Sequence, residues 1–183
     1  RPLSGCRVVC IYSSEVLMEA TLKEWIGRVH DAAETGKSLR ICGGGTKDFY
    51  GQRINGEVLD TSVYRGVVTY EPTELVVVVR AGTPLAELEA ELLSRGQCLP
   101  FEPPHFGPGG GTPHVATVGG MVAAGLSGPR RPSVGAVRDY VLGVKMIDGK
   151  GELLSFGGQV MKNVAGYDVP RLMAGSLGTL GLI

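Results

Sequence analysis

Two stretches of this 183-residue chain could do chemistry through their backbone alone. The first, Cys42-Gly43-Gly44-Gly45-Thr46-Lys47, follows a short apolar run, Leu39–Cys42. The second is Thr117-Val118-Gly119-Gly120-Met121-Val122-Ala123-Ala124-Gly125-Leu126-Ser127-Gly128. Consecutive glycines let successive N–H groups converge on one anion without any cationic side chain. Thr46, Lys47 and Ser127 add side-chain donors to these loops. Two such cradles suit a diphosphate. Spacing alone leaves a second reading open, because glycine clusters also form ordinary turns.

Better-known nucleotide motifs fail. Thr35-Gly36-Lys37-Ser38 has the end of a phosphate-binding P-loop, but position 31, which must be glycine, is Asp31, and a strand rather than a helix follows. Gly109 and Gly111 start a dinucleotide fingerprint whose third glycine is replaced by His114. Cys6, Cys10, Cys42 and Cys98 include no Cys-x-x-Cys pair, which argues against a metal site or an iron–sulfur cluster.

The charge balance, 18 basic against 18 acidic residues, argues against a bulk nucleic-acid binder. The longest uncharged stretch, 103–129, holds five Pro and eight Gly and cannot be a membrane helix. Residues 1–20 lack a signal peptide, and the free cysteines suit a cytoplasmic setting. The chain starts at Arg1 and stops after an apolar run, so it is expected to be a fragment of a longer one.

The elements that must position these loops read as follows. Residues 15–35 form an amphipathic helix with Leu22, Ile26, Val29 and Ala33 inward and Gly36 as cap. Strands are expected at Leu39–Cys42, Glu57–Asp60, 66–70 and 75–79, the last a β-branched run suited to burial on both faces. Thr83 caps a helix with Pro84 as its first residue and Leu85, Leu88, Leu92 and Leu93 on its apolar face, ending at Gly96. Residues 121–126 give one short helical turn. Strands 140–147 and 152–156 are joined at Asp148-Gly149, a helix covers 168–174, and another strand starts at 180. The order of elements is α+β.

A series of segments in fixed order resembles the FAD-binding domain of the vanillyl-alcohol-oxidase / p-cresol-methylhydroxylase (PCMH) type, and within it the FAD-binding subunits of bacterial glycolate oxidases. It comprises 40–51 (Arg-Ile-Cys-Gly-Gly-Gly-Thr-Lys-Asp-Phe-Tyr-Gly), 70–85, 99–105 (Leu-Pro-Phe-Glu-Pro-Pro-His), 125–132, 161–168 and 175–181 (Gly-Ser-Leu-Gly-Thr-Leu-Gly). The resemblance covers residues 15–183 and leaves 1–14 unassigned.

It implies a PCMH-type domain of two α+β subdomains with FAD between them, and a C-terminal part of the full chain that is missing here. Gly43, Gly44, Gly45, Thr46 and Lys47 match its first diphosphate loop. Thr117, Gly119, Gly120, Ala123, Gly125 and Ser127 match the second. Arg138 and Asp139 match a turn that seats the cofactor, and Gly178, Thr179 and Ile183 match a late segment along it. Leu177 stands where many hydroxy-acid dehydrogenase relatives have Glu, and 108–117 is longer than the family pattern.

The implied function is an FAD-binding subunit of a complex that oxidises glycolate to glyoxylate. Its expected partners are a second FAD-containing catalytic subunit and an iron–sulfur subunit, with no nucleic acid and no transmembrane segment. The expected location is the cytoplasm or, through partner subunits, the periphery of the inner membrane. The alternatives are a fragment of a stand-alone FAD-linked D-lactate-type dehydrogenase, and a non-catalytic scaffold.

The flavin is expected to be non-covalent. His114 is a candidate covalent anchor of the kind some relatives use, and His105 lies in Pro-Pro-His-Phe beside the expected groove, where loop packing is the better reading. His30 and Trp25 belong to the first helix as boundary and core residues. Arg130-Arg131 suit a phosphate, a carboxylate substrate or a solvated turn, and Lys162-Asn163 suit a flavin-facing loop or a helix entry. No catalytic residue and no metal ligand is identified.

Overall fold

The structure, a computed structural model, describes residues 4–5, 7–10, 16–52, 55–107, 115–158 and 166–183. In chain order the strands and helices are β1 (Ser4–Gly5), β2 (Arg7–Cys10), α1 (Val16–Thr35), β3 (Leu39–Cys42), β4 (Glu57–Asp60), β5 (Val67–Glu71), β6 (Val76–Val79), α2 (Leu85–Ser94), β7 (Gln97–Cys98), α3 (Val118–Ala124), α4 (Arg131–Val134), β8 (Val141–Ile147), β9 (Leu153–Gly157) and α5 (Val169–Met173). No described helix is long and apolar enough to cross a membrane.

A five-stranded mixed sheet runs β5-β6-β2-β8-β9. Its central strand, β2, lies within residues 1–14, which the resemblance leaves unassigned. Arg7–Val9 pair in parallel with Val76–Val78, and Val8 and Cys10 pair in parallel with Val141 and Val144. All four residues of β6 are buried, as a β-branched run covered on both faces requires. Val77 and Val79 face a core built from Leu85, Leu88 and Leu92 of α2 and Val118, Met121 and Val122 of α3. Val76 and Val78 face the other side with Val68 and Leu142. The strand begins one residue later than expected, because Leu75 has φ +56° and closes the turn from β5.

β3 and β4 form a separate parallel pair. α1 bridges this pair to the end of β8 through Trp25, which is buried with Leu59, Tyr64, Ile147 and Leu182. The Trp25 and Tyr64 rings meet edge to face at 5.7 Å. Leu22, Ile26 and Val29 pack inward as expected, but the stripe centres on Trp25, so Ala32, seven residues on, is buried and Ala33 is exposed. Gly36 takes φ +66° and lets Lys37 N–H reach the Ala32 carbonyl at 3.0 Å, which terminates α1.

Three further details differ from expectation. Pro84, not Thr83, stands at the N-cap of α2. The Thr83 hydroxyl instead donates to the Arg80 carbonyl at 2.7 Å and accepts Gly66 N–H at 2.8 Å, so this fully buried residue ties the 61–66 turn to the end of β6. Leu93 is exposed rather than part of the apolar face. The β8–β9 hairpin closes over 148–152, with Asp148 Oδ1 accepting Lys150 and Glu152 N–H, and the left-handed glycine is Gly151 rather than Gly149. Beyond α5 the chain forms one antiparallel bridge, Leu182 with Ile147.

Candidate functional site

β3 delivers the chain to the first glycine loop. Its ladder with β4 ends where Thr61 N–H donates to the Cys42 carbonyl at 2.8 Å, and the chain then turns through Gly45–Tyr50. An ion pair between Arg40 and Asp48 closes the base of this turn. The Asp48 hydrogen bond and charge hold the Arg40 pKa above its usual value. Burial pushes the Cys42 thiol pKa up, which favours the neutral thiol.

Residues 115–117 pack directly on this loop. A Cβ at Gly44 would stand 1.5 Å from the Val115 carbonyl oxygen, and one at Gly43 would stand 2.5 Å from Thr117 Oγ1. Both glycines are therefore required by close approach of another segment, whatever they bind. The 175–178 segment joins them from the far side. Gly175 N–H donates to Val122 O at 3.0 Å and Leu177 N–H to Ala123 O at 2.9 Å, while the position of a Gly178 Cβ lies 3.3 Å from Ile41 Cδ1. The fold thus gathers Gly43–Lys47, Thr117–Ala123 and Gly175–Gly178.

The two loops differ as anion cradles. At the start of α3, Val118 N–H donates to Thr83 O at 2.9 Å, Gly119 N–H to Ala81 O at 2.7 Å and Gly120 N–H to Thr117 Oγ1 at 3.2 Å. These N–H groups are committed inside the protein, which corrects the expectation of two equivalent open cradles. In the first loop, no acceptor within the described structure takes the N–H of Gly43, Thr46 or Lys47, while Gly45 N–H donates to the Cys42 sulfur. Thr46 is buried, and Lys47 Nζ lies 3.4 Å from its Oγ1. Lys47 is half-buried, and burial lowers its pKa. No carboxylate among the described residues pairs with it.

The other expected positions are partly turned inward. Ser127 is buried, with its hydroxyl donating to Gly125 O and accepting Val137 N–H at 3.1 Å. Gly125 caps α3 in a left-handed conformation. Arg138 is exposed on the short turn Val137–Asp139; Asp139 accepts Ala136 N–H at 2.9 Å and pairs with Arg171 at 3.6 Å. The Thr179 hydroxyl turns back to Ser176 O at 2.7 Å, and Ile183 packs against both sides of β8's core. His105 pairs with Glu89 of α2 at 2.9 Å, and Arg130 pairs with Glu102 at 3.3 Å. His114 and Lys162-Asn163 lie outside the described residues.

One group at this junction went unnoticed in the sequence. Ser176 Oγ is enclosed with no hydrogen-bond partner, between Gly175 and Leu177, which are tied to α3. A buried hydroxyl without a partner carries a cost that a bound acceptor relieves. Nothing in Gly-Ser-Leu-Gly signals that burial; it is a tertiary property. Amides without an acceptor, a half-buried ammonium with no carboxylate partner among the described residues and an orphaned hydroxyl together fit a phosphate-bearing cofactor.

Comparison with known proteins agrees. The family model described as FAD binding domain matches residues 16–157. The chain is 50% identical over 174 residues to glycolate oxidase subunit GlcE of Escherichia coli (strain K12), covering 95% of this chain and 45% of that protein. It is 30% identical to D-lactate dehydrogenase of Anaerostipes hadrus, covering 92% and 34% respectively. It is also 30% identical to glycolate oxidase subunit GlcD of Bacillus subtilis (strain 168), covering 81% and 29%. The chain thus spans less than half the length of these relatives. Among solved structures, alkyldihydroxyacetonephosphate synthase shares the fold with TM-score 0.63 at 22% identity, covering 87% of this chain and 28% of that one. Matched through most of its length and carrying a loop fit for the cofactor, the chain belongs to the FAD-binding domain family.

Proposed function

We propose that this chain is the FAD-binding part of a glycolate oxidase or dehydrogenase subunit, working in a complex that oxidises glycolate to glyoxylate. The observation that carries this reading is the 50% identity to GlcE across 95% of the chain. Gly43, Thr46 and Lys47 hold the diphosphate through main-chain N–H groups and one ammonium, Gly44 and Gly45 shape the loop, and Ser176 adds a hydroxyl. Thr117, Gly119, Gly120, Ala123, Gly125 and Ser127 act mainly as scaffold, fixing the loop from behind. Arg138, Asp139, Gly178, Thr179 and Ile183 border the same cofactor. FAD is held without a covalent bond and, when bound, supplies the two-electron acceptor. The protein contributes binding, orientation and exclusion of water.

The partners in this reading are a second FAD-containing catalytic subunit and an iron–sulfur subunit that takes the electrons. The complex is cytoplasmic or peripheral to the inner membrane. The second reading, a D-lactate-type dehydrogenase, is favoured by the 30% identity over 92% of the chain to D-lactate dehydrogenase. Leu177 favours the first: exposed near Gly51, it stands where many hydroxy-acid dehydrogenase relatives have Glu.

The test is to purify the full-length subunit with its co-expressed partners, record the flavin spectrum, and add glycolate or D-lactate without oxygen. Bleaching near 450 nm by glycolate is expected. A flavin-free subunit, or bleaching by D-lactate alone, overturns the proposal.

A further inference from the structure

Two large aromatic side chains stand in solvent beside the first loop. Phe49 is 69% exposed and Phe106 39% exposed. Phe49 follows the loop and Phe106 belongs to the link towards α3, yet their rings meet at 5.1 Å and 89°. Phe106 is held at φ +32°, a strained conformation for a bulky residue. Lys47 Nζ lies 6.0 Å from the Phe106 ring centre. Among the described residues the ring contacts recorded for this pair are with each other and with Lys47, and Phe49 stays largely in solvent. Such features mark ligand surfaces.

The neighbouring groups say what the ligand is. Beside Phe106 lies the Lys47 ammonium, which has no carboxylate partner among the described residues, and the N–H groups of Thr46 and Lys47 in the same loop take no acceptor among them. That combination recognises an aromatic ring carried a short linker away from a diphosphate. We propose that the Phe49–Phe106 pair is a stacking platform for one ring system of the bound dinucleotide, placed beside the diphosphate held by Lys47 and the first loop. This rests on the FAD reading above and deepens it. The ring is either the adenine or the flavin, and both stack on an aromatic face.

The experiment uses the full-length chain stripped of flavin and titrated with FAD and, separately, with ADP, which lacks the flavin. Phe49→Ala and Phe106→Ala are each expected to weaken FAD about ten- to a hundredfold, the range seen for loss of one ring-stacking side chain. Phe106→Tyr should retain wild-type affinity, and Leu153→Ala, exposed on β9, serves as a control that leaves FAD affinity unchanged. Circular dichroism checks that each variant is folded. If ADP weakens in parallel, the platform holds adenine; if only FAD weakens, it holds the flavin.

Wild-type FAD affinity in both alanine variants overturns the platform and leaves the loop assignment standing. So does a variant that keeps FAD but loses its partner subunit, because the patch is then a protein interface. Failure of the wild-type chain to bind FAD overturns both readings at once.

Discussion

Replacing Gly44 by alanine adds a single methyl group, and the structure makes its consequence specific. The new Cβ would lie 1.5 Å from the Val115 carbonyl oxygen and 2.5 Å from its carbon. Real contacts to a Cβ essentially never fall under 3.0 Å, so one of two main-chain segments must retreat by about 1.5 Å. Neither is the tip of a flexible side chain. Overpacking of this kind costs about 1–3 kcal/mol, and the backbone nature of both partners puts Gly44→Ala at the upper end. A loss of about 3 kcal/mol lowers the folded-to-unfolded ratio roughly a hundredfold. The same retreat separates the loop amides from one another, so FAD affinity falls with stability. The assay is urea unfolding of the apo-protein together with FAD titration by flavin fluorescence. Gly27→Ala, in the middle of α1 with nothing within 4 Å of its Cβ, is the control and should gain about 0.5–1 kcal/mol. Gly44→Asp should be about as damaging as Gly44→Ala, because the clash is steric. If alanine is tolerated and only aspartate harms, charge beside the diphosphate is what matters and the packing argument is wrong.

Further outcomes follow from the same geometry. Thr83→Val should cost about 1–3 kcal/mol, since it strips Gly66 N–H of its acceptor at a fully buried site; a change under about 0.5 kcal/mol in urea unfolding would rule this out. Burial lowers the Lys47 pKa in the folded chain below the ordinary 10.5, so the unfolded chain holds more protons just below that value. Apo-protein stability should therefore gain a rising contribution with pH in that window, while FAD affinity falls there as the ammonium is lost. Lys47→Gln should remove both slopes, and identical profiles in variant and wild type would refute the assignment of Lys47 as the counter-charge. Ser176→Ala should leave apo-stability unchanged or raised, because an orphaned hydroxyl is removed, yet weaken FAD retention; equal retention would take Ser176 out of the site.

Local chemistry made most elements legible in the sequence. The stripe around Trp25, the valine run of β6, the leucines of α2 and the Asp148 hairpin each follow from periodicity or turn chemistry within a dozen residues. The first glycine loop was visible for the same reason, as a strand running straight into Gly43–Gly45. Four other matters were decided only by chain segments distant in sequence. Arg7–Cys10 is given no element by local pattern, and becomes central because β6 and β8 pair on either side of it. Thr83 has the residue type of a cap, but Gly66 and Arg80 claim its hydroxyl. The second glycine loop looked like a twin of the first, until Ala81 and Thr83 supplied acceptors for its leading N–H groups. Ser176 and the Phe49–Phe106 pair carry no local signal at all, since burial and ring contact exist only once the chain has folded. The sequence determines where N–H groups can be offered; which of them stay open is settled by the acceptors that folding brings within about 3 Å.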